Sequence, residues 1–346
     1  MEKFRNYEKS EVKLNSDLVL ILGENAAGKT NFLESIYFLS RLKSFRAPDN
    51  LLVKNNEDYF NLQGQIGENK FEAIIQINPV VRRQFKVKDQ KIKKGFWQSF
   101  KVVLFVPNDL NLFQLGPILR RKFLDETISQ VDQAYGMDLE SMDHILKQRS
   151  ALLEQIFQGQ AQNHELEFWN AQLVPIAMRL TQKRQALVDF LNQRLTEKIN
   201  QLTGFNSQFE LKFKRMDPNS EEELLASLKA HESAEIRSGK NLIGPHKDDF
   251  EIYKDQQLNL FNSSRGELRS QILALKLLQA EYLSQGSSNP IILLDDVFSE
   301  LDEIRRTKLI ENLSGHQIFI TSTEEHHLPK IAADSQILKV EGNEIK

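Results

Sequence analysis

The chain has 346 residues, of which 40% are hydrophobic, and this length suits about two domains with a sizeable core. Its 45 Lys and Arg against 48 Asp and Glu leave a net charge of -3, so nucleic-acid binding would require a local patch. The absence of cysteine excludes disulfides and thiolate metal sites. Because the sequence has neither an apolar signal segment nor a run of roughly 18 apolar residues, we expect a soluble cytoplasmic protein with no membrane partner.

The segment Gly23-Glu24-Asn25-Ala26-Ala27-Gly28-Lys29-Thr30 matches the pattern G-x-x-x-x-G-K-[ST] in full. An apolar run at 18–22 precedes it and a helical apolar pattern at 32–39 follows it, as a phosphate-binding loop (P-loop) requires. The glycines let the backbone N–H groups and the helix N-terminus face an anion. Lys29 is expected to reach the β and γ phosphates, and the Thr30 hydroxyl to bind Mg²⁺. The segment predicts a nucleoside triphosphate site.

Two intervals after the P-loop are rich in cations. Arg41, Lys43 and Arg46 follow the P-loop helix, where they either face phosphates or form an ordinary solvated helix end. Alternating residues over 59–87 predict an antiparallel meander. The most basic interval, 82–101, carries Phe96, Trp97 and Phe100 between its cations, and it is either a nucleic-acid surface or a solvated hairpin.

A helical region follows a short buried strand at 102–106. Apolar residues recur three and four apart from 119 to 202, which predicts amphipathic helices. We expect breaks near Gly136, Gly159 and Asn163, and Pro175 to open or kink a helix. After a strand at 209–213 and a turn at 217–219, Ser220 and Glu223 predict a capping box that starts another helix.

The last third of the chain supplies a second set of candidate site residues. Asp295 and Asp296 end an apolar strand at 290–296, the Walker B position, where Asp295 would hold Mg²⁺ through water opposite Thr30. A further strand is predicted at 318–321. Ser264 and Glu267 form a capping box at the start of a long helix. That helix start is either an ordinary cap or an anion site suited to a γ-phosphate held by another subunit.

These motifs, with Ser299-Glu300-Leu301-Asp302 as a D-loop, resemble the ATP-binding-cassette (ABC) ATPases of the chromosome-maintenance class. Three segments narrow the resemblance to the RecF family of bacterial recombination mediators: Phe4-Arg5-Asn6-Tyr7, Arg120-Arg121-Lys122-Phe123-Leu124-Asp125 and Gly244-Pro245-His246-Lys247-Asp248-Asp249. The resemblance covers essentially the whole chain. It implies an α/β fold, an ABC-type P-loop ATPase head of mixed sheet and helices with an inserted α-helical arm. The expected domains are 1–117 and 235–346 for the two halves of the head and 118–234 for the arm.

The resemblance also implies a function. In this family two subunits enclose two ATP molecules and clasp DNA at single-strand gaps or junctions, and with RecO and RecR they support recombinase loading and the SOS response. Hydrolysis is then a weak, DNA-stimulated switch. The implied roles in this chain are phosphate binding by Gly23 to Thr30, Mg²⁺ binding by Thr30 and Asp295, catalysis by Asp295 and Asp296, contact with the partner's γ-phosphate by Ser264 and Gly266, and a D-loop crossing at Asp302.

The sequence departs from the family pattern in places. Asp296 stands where a glutamate is usual, one methylene shorter, and predicts slow turnover. Ser322 replaces the histidine expected after the last strand, and the Q-loop glutamine is left open among Gln63, Gln65 and Gln76. Two other functions remain alternatives: a monomeric P-loop phosphotransferase, and an ABC-type gating ATPase of a nuclease or defence system. The signature at Ser264 argues against the first, and the lack of a nuclease-like acidic cluster against the second.

Overall fold

A computed structural model describes residues 1–93, 97, 100–204, 206–215, 220–259, 264–286, 288–323 and 335–346. The chain divides into two compact units. The first joins Met1–Asp109 with Leu283–Lys346, and the second is Leu110–Tyr282. Among the described residues, no helix combines the length and the apolar character needed to cross a membrane.

The described strands and helices alternate along the chain. The strands are β1 (Glu2–Phe4), β2 (Tyr7–Lys9), β3 (Leu18–Leu22), β4 (Tyr59–Ile66), β5 (Asn69–Gln76), β6 (Arg82–Val87), β7 (Gln90–Ile92), β8 (Val102–Phe105), β9 (Phe209–Lys214), β10 (Asp249–Lys254), β11 (Gln257–Leu258), β12 (Ile291–Asp295), β13 (Ile318–Ser322), β14 (Gln336–Glu341) and β15 (Glu344–Ile345). The helices are α1 (Lys29–Arg41), α2 (Pro117–Ile128), α3 (Gln133–Phe157), α4 (Leu166–Thr203), α5 (Glu221–Ser238), α6 (Arg265–Leu283) and α7 (Glu303–Asn312).

A largely parallel sheet in the first unit has the strand order β15-β14-β3-β13-β12-β8. Its inner strands β3, β12 and β13 are almost continuously apolar and buried, as strands covered on both faces must be. The pairings Leu22 with Ser322 and Asp295 with Thr321 align the carboxyl ends of these strands at one edge. The strands predicted from the apolar runs are therefore confirmed, and this edge receives both the P-loop and the two acids.

The first unit also contains an antiparallel sheet of order β2-β1-β4-β5-β6-β7, which confirms the predicted meander. Helix α1 contributes to two hydrophobic cores formed by described residues of the unit. Phe38 and Leu39 pack in one core with the antiparallel sheet, whereas Phe32 and Leu33 pack in the other with the parallel sheet. Both faces of the helix that follows the P-loop are thus held by packing.

Part of the basic interval 82–101 has structural contacts instead of the exposed position that nucleic-acid binding requires. The Trp97 ring packs against Phe71 and Phe85, and its Nε1 donates to Leu39 O at 3.0 Å. Phe100 packs against Phe71, and Lys101 Nζ donates to Leu283 O at 2.6 Å. The two rings stabilise the fold by packing against the core, and the Lys101 amine does so by bonding to a backbone carbonyl. Phe96 lies outside the described residues.

The second unit is mainly helical. Helices α3 and α4 pack against each other, and a small sheet of order β11-β10-β9 packs against α4 through β9 and against α2 through β10. The break predicted near Gly136 lies a few residues earlier, at 129–132. Helix α2 ends at Ile128, and Gly136 itself lies in the first turns of α3, which Asp132 caps through the Tyr135 N–H. Pro175 lies within α4 and opens no helix. The break at Gly159 and the Ser220 cap of α5 are confirmed, and the predicted turn at 217–219 lies outside the described residues.

The two compact units divide the chain at residues that differ from the expected domain limits. Helix α6 belongs almost entirely to the second unit, because its side chains bond to that unit: Gln279 Nε2 donates to Thr127 Oγ1 at 2.8 Å, and Glu281 pairs with Arg194 and Lys198. The expected limits 1–117, 118–234 and 235–346 stay a prediction.

The family segments at 120–125 and 244–249 form a buried network of charges in the second unit. Arg120 is 5% exposed and donates through Nε and Nη2 to the Asp249 carboxylate at 2.7 and 2.9 Å. Arg184 likewise binds Asp125 at 2.9 and 3.0 Å and Asp248 at 3.2 Å. Arg120 therefore has a structural partner, and its charge is not available to an exposed DNA-binding surface.

Candidate nucleotide-binding site

The P-loop joins β3 to α1, and its glycines are required by close neighbours. Gly28 has a φ of 116°, and an added Cβ would lie 2.5 Å from Asn6 Nδ2 and 3.0 Å from the Tyr7 hydroxyl. A Cβ on Gly23 would lie 2.5 Å from Val340 O. Between the two glycines, Glu24, Asn25 and Ala26 are exposed, and Ala26 takes a φ of 65°. The loop therefore has the curled backbone that anion binding requires.

The segment Phe4-Arg5-Asn6-Tyr7 supports the end of the P-loop. Asn6 Nδ2 donates to Ala27 O at 3.0 Å, and the buried Tyr7 hydroxyl donates to Gly28 O at 3.0 Å. In a trans peptide the C=O and the following N–H point in opposite directions. By holding these carbonyls, Asn6 and Tyr7 direct the N–H groups of Gly28 and Lys29 away from themselves and into the loop.

Lys29 is the first residue of α1, and it is 8% exposed. Its Nζ donates to Gly23 O at 2.7 Å and to Glu24 O at 2.8 Å, so the ammonium group spans the loop. Burial lowers the pKa of Lys29, while the nearby carboxylates of Asp296 and Asp295 oppose that shift. A polyphosphate would supply the counter-charge that this cation lacks in part.

Three side chains converge where β3, β12 and β13 end. Thr30 Oγ1 donates to Asp295 Oδ1 at 2.8 Å, and Thr321 Oγ1 donates to the same oxygen at 2.9 Å. Burial raises the pKa of Asp295, and both hydroxyls and the charge of Arg46 act in the opposite direction. A carboxylate beside a hydroxyl supplies the oxygen ligands that Mg²⁺ prefers.

Asp296 is exposed and adopts a left-handed backbone conformation, with a φ of 52°. Its N–H donates to Thr321 Oγ1 at 2.9 Å, so one hydroxyl binds both acids of the strand end. Asp and Asn tolerate this conformation better than longer or branched residues do. The conformation turns the chain directly after Asp295, so that Asp296 faces solvent at the mouth of the site.

A buried carboxylate on α1 connects the loop after α1 to the same region. Glu34 has a fully buried side chain, and its oxygens accept from Arg5 at 2.8 and 2.9 Å and from Arg46 at 2.9 Å. Burial alone would raise the pKa of Glu34, but the hydrogen bonds from Arg5, Arg46 and Ser44 hold it below its ordinary value. Arg46 also donates to Asn31 Oδ1, next to Thr30. Of the three cations at 41–46, Arg46 is the one whose charge influences Asp295.

Asp302 and Ser264 each cap a helix. Asp302 Oδ1 accepts from Arg305 N at 2.9 Å at the start of α7, and the residue is exposed. In the second unit, Ser264 N donates to Glu267 Oε2 at 2.7 Å and Glu267 N donates to Ser264 Oγ at 3.2 Å, which confirms the predicted capping box. Gly266 lies in the first turn of α6. Both interpretations of this helix start remain compatible with that cap.

Sequence patterns missed Thr321 and the supporting roles of Asn6 and Tyr7. The available signal for Thr321 was its place at the end of the strand paired with β12. The Q-loop candidates Gln63, Gln65 and Gln76 all belong to the antiparallel sheet, where they donate to Glu72, Gly67 and Asn78. None of these glutamines lies in the parallel sheet that carries the site. The strand of that sheet next to β12 is β8, and the exposed Asn108 follows its carboxyl end.

Comparison with known proteins places the whole chain in one family. The model of the RecF/RecN/SMC N-terminal domain matches residues 1–346. The chain is 33% identical to the DNA replication and repair protein RecF of Leptospira interrogans serovar Lai, with 100% of this chain and 97% of the relative covered. It is 35% identical to the protein of that name in Moorella thermoacetica, with 94% and 89% covered.

Solved structures give the same result. The fold is similar to that of the recombination mediator protein RecF with ATP in the RecFOR pathway, with a TM-score of 0.89, 29% identity and coverage of 100% of this chain and 95% of that one. An Smc head with 12% identity and a TM-score of 0.57 shares the fold. The expected ABC-type head with a helical insertion is thereby confirmed. The chain belongs to the RecF family of DNA replication and repair proteins, within the RecF/RecN/SMC class of ATPase heads.

Proposed function

We propose that this protein is an ATP-dependent DNA-binding protein of recombinational repair and replication-fork maintenance. Two copies pair on binding ATP and Mg²⁺ and clamp DNA at single-strand gaps or junctions in the cytoplasm. With RecO and RecR, the clamp helps to load the recombinase and to support SOS induction. Slow ATP hydrolysis resets the clamp, so the ATPase activity is a weak, DNA-stimulated switch.

The hydrogen bond between Thr30 and Asp295 carries the proposal. It joins the P-loop hydroxyl to the Walker B carboxylate at 2.8 Å across 265 residues of sequence. Gly23 to Thr30 bind the phosphates through directed N–H groups and Lys29, and Asp296 orients the attacking water. The Asp296 side chain is one methylene shorter than that of the glutamate usual at this position. Its carboxylate therefore lies farther from that water, which supports slow turnover.

The oxygen ligands of Thr30 and Asp295 fit Mg²⁺. Within the described residues, no group of three or more His, Cys, Asp or Glu side chains forms a metal cage. Mg²⁺ is usually held by one or two carboxylates together with substrate phosphates and water, which agrees with a single carboxylate and a hydroxyl. When bound, the ion neutralises phosphate charge. Burial raises the pKa of Asp295, and hydrogen bonds from the two Thr hydroxyls oppose that rise and so favour the ionised carboxylate that Mg²⁺ binds.

Ser264 and Gly266 are proposed to bind the γ-phosphate held by the partner copy, and Asp302 to cross the interface in the D-loop. A capped helix start with exposed Ser264 supplies N–H groups and the positive end of the helix dipole to an anion. The Glu267 carboxylate that completes the cap is itself bound by Lys254 at 2.8 Å, which lowers its pKa and offsets its negative charge. That pairing supports a role in anion binding.

The DNA surface is proposed to include the exposed cations of the β6–β7 hairpin. Arg82, Lys88, Lys91 and Lys93 are exposed, whereas Lys86 pairs with Glu72 and Arg83 pairs with Asp49 at 2.8 Å. Phosphate contacts by such cations give binding that weakens with salt. Because the net charge of the chain is -3, the clamp requires a local surface of this kind.

The test is the mass in solution, measured by light scattering with and without ATP and Mg²⁺ and with a short gapped duplex. Ser264→Asp keeps the cap of α6, since Asp caps a helix as well as Ser does, but it places a carboxylate against the partner's phosphate. Ser220→Asp is the matched control, because Ser220 caps α5 through Glu223 N at 3.2 Å. Asp296→Asn suits the left-handed backbone and removes the group that orients water.

We expect ATP to dimerise the wild type and the Ser220→Asp variant, and we expect the Asp296→Asn dimer to last longer. The Ser264→Asp variant should bind ATP but stay monomeric, and it should lose nucleotide-dependent DNA binding. If ATP binds and all the proteins stay monomeric, the clamp is refuted. Equal dimerisation of Ser264→Asp and Ser220→Asp would refute the role of the signature alone.

A further inference from the structure

The hairpin of β14 and β15 is connected to both ends of the P-loop, directly at Gly23 and through Asn6 at Ala27. At the first end, β14 pairs in parallel with β3, and Val340 O lies so close to Gly23 that a Cβ there would approach it to 2.5 Å. At the second end, the contact runs through Asn6. Its Nδ2 donates to Ala27 O at 3.0 Å and to Asn343 Oδ1, at the hairpin tip, at 2.7 Å.

The geometry of Asn6 makes these two contacts interdependent. An amide nitrogen has two N–H donors, and here one binds the P-loop and the other binds the hairpin. The Asn6 Oδ1 atom accepts from Asn31 Nδ2 at 2.6 Å, which fixes the amide from its other side. The plane of the Asn6 amide is therefore held by three partners. Removing the acceptor on Asn343 would leave the donor to Ala27 O less constrained.

The hairpin tip is built to present Asn343. Gly342 and Asn343 have φ values of 59° and 69°, and they connect the pairs Glu341 with Glu344 and Val340 with Ile345. A two-residue turn with two positive φ values matches the twist of the strands. Glycine, asparagine and aspartate adopt this conformation most readily. Glycine has no side-chain acceptor, and aspartate would add a negative charge beside bound phosphate. Asparagine has an uncharged side-chain oxygen, which accepts the hydrogen bond from Asn6 Nδ2.

We infer that Asn343 is a positioning residue of the nucleotide site, and that it couples the C-terminal hairpin to the P-loop through Asn6. The hydrogen bond to Ala27 O directs the Gly28 N–H into the loop, so the hairpin holds an amide that binds phosphate. The inference rests on the proposed ATP binding. Coupling between two sites is reciprocal, so bound ATP must in turn hold the hairpin more firmly.

The test compares nucleotide affinity and hydrogen exchange in matched variants. Asn343→Gly removes the acceptor and keeps the turn, because glycine accepts a positive φ without strain. Asn56→Gly is the control, since Asn56 is exposed and has a φ of 66° in another turn of the same unit. Loss of one hydrogen bond predicts about two- to tenfold weaker binding of ATP with Mg²⁺ for Asn343→Gly, and no change for Asn56→Gly.

Two further measurements separate positioning from a merely structural effect. In the wild type, ATP should slow hydrogen exchange of the hairpin amides over 339–346. This slowing, measured for each protein against its own exchange without ATP, should be lost in Asn343→Gly. Because Asn6→Ala removes the link itself, adding Asn343→Gly to it should weaken binding no further.

Each outcome decides a specific statement. Wild-type protein that binds no ATP refutes the proposed function, and the inference with it. Wild-type protein that binds ATP, with Asn343→Gly equal to Asn56→Gly in affinity and in ATP-dependent exchange, overturns the inference alone. Additive effects of Asn6→Ala and Asn343→Gly would also overturn it, because two independent roles would then replace the coupling.

Discussion

Thr321→Val removes one hydroxyl at the centre of the candidate site and nearly preserves the side-chain shape. Thr321 is 1% exposed, and its hydroxyl donates to Asp295 Oδ1 at 2.9 Å and accepts from Asp296 N at 2.9 Å. A hydrogen bond to a charged group contributes about 1.5–3 kcal/mol. The exposed Asp296 can exchange its N–H bond for one to water. We therefore expect the free energy of unfolding of the first unit to fall by about 2–3 kcal/mol at pH 7.

The size of this loss should depend on pH. Burial raises the pKa of Asp295 in the folded protein above its ordinary value of 3.8. The folded state therefore binds this proton more tightly than the unfolded state does, and the resulting stability is present at low pH and lost as pH rises through the folded pKa. The Thr321 hydroxyl limits that rise in pKa, so the variant loses more stability as the carboxyl ionises. As pH falls through the folded pKa, the hydroxyl comes to serve a neutral carboxyl, and the deficit should shrink towards about 1 kcal/mol.

Tryptophan fluorescence during urea unfolding can measure this loss in the first unit alone. The chain has 2 Trp residues, so in a Trp169→Phe background the signal comes from Trp97, in the core of the first unit. Thr323→Val is the matched control, because it makes the same change at an exposed position two residues later. Equal stability of the two variants at pH 7, or a Thr321→Val deficit that does not change with pH, would refute the reasoning.

Three other predictions concern backbone, core and surface. Gly28→Ala should abolish ATP binding and lower stability more than Gly67→Ala, where φ is 57° but no atom lies within 4 Å of the added Cβ; thermal unfolding and equilibrium dialysis check this. Arg120→Ala should cost about 3–5 kcal/mol in urea unfolding by stranding the Asp249 carboxylate, whereas Lys122→Ala, on the exposed side of α2, should cost little. Replacing Lys88, Lys91 and Lys93 by Gln should weaken DNA binding and flatten its salt dependence by up to about 3 units of slope in a fluorescence titration; an unchanged slope would exclude the hairpin.

Local patterns sufficed for the elements whose chemistry is contiguous. The P-loop, the buried strands at 18–22 and 291–295 and the cap at Ser264 all read from neighbouring residues, because loop, strand and helix start each have a short signature. The ABC-type fold was expected from the family resemblance that those signatures carry. These are features that a sequence expresses within a window of a few residues.

The roles that sequence missed depend on pairing between distant segments. Thr321 reaches Asp295 only because β13 lies beside β12 in one particular register, 26 residues away in sequence. Arg120 finds its partner 129 residues later, and nothing in the local run Arg120-Arg121-Lys122 signals that ion pair. Trp97 resembled a base-stacking residue for the same reason, since its partners lie in strands across the sheet. Asp132 likewise moved a helix start away from Gly136, where glycine suggested a break.

Helix α1 packs in the core of each sheet of the first unit, so the two cores should unfold cooperatively. Neither sheet can open without exposing apolar side chains of the helix that starts at the P-loop, Phe38 on one side and Phe32 on the other. Local opening of either core therefore costs part of the other. A ligand that fixes the first turn of α1 would consequently slow proteolysis in the antiparallel sheet, far from any phosphate contact, because the two halves of the unit melt as one.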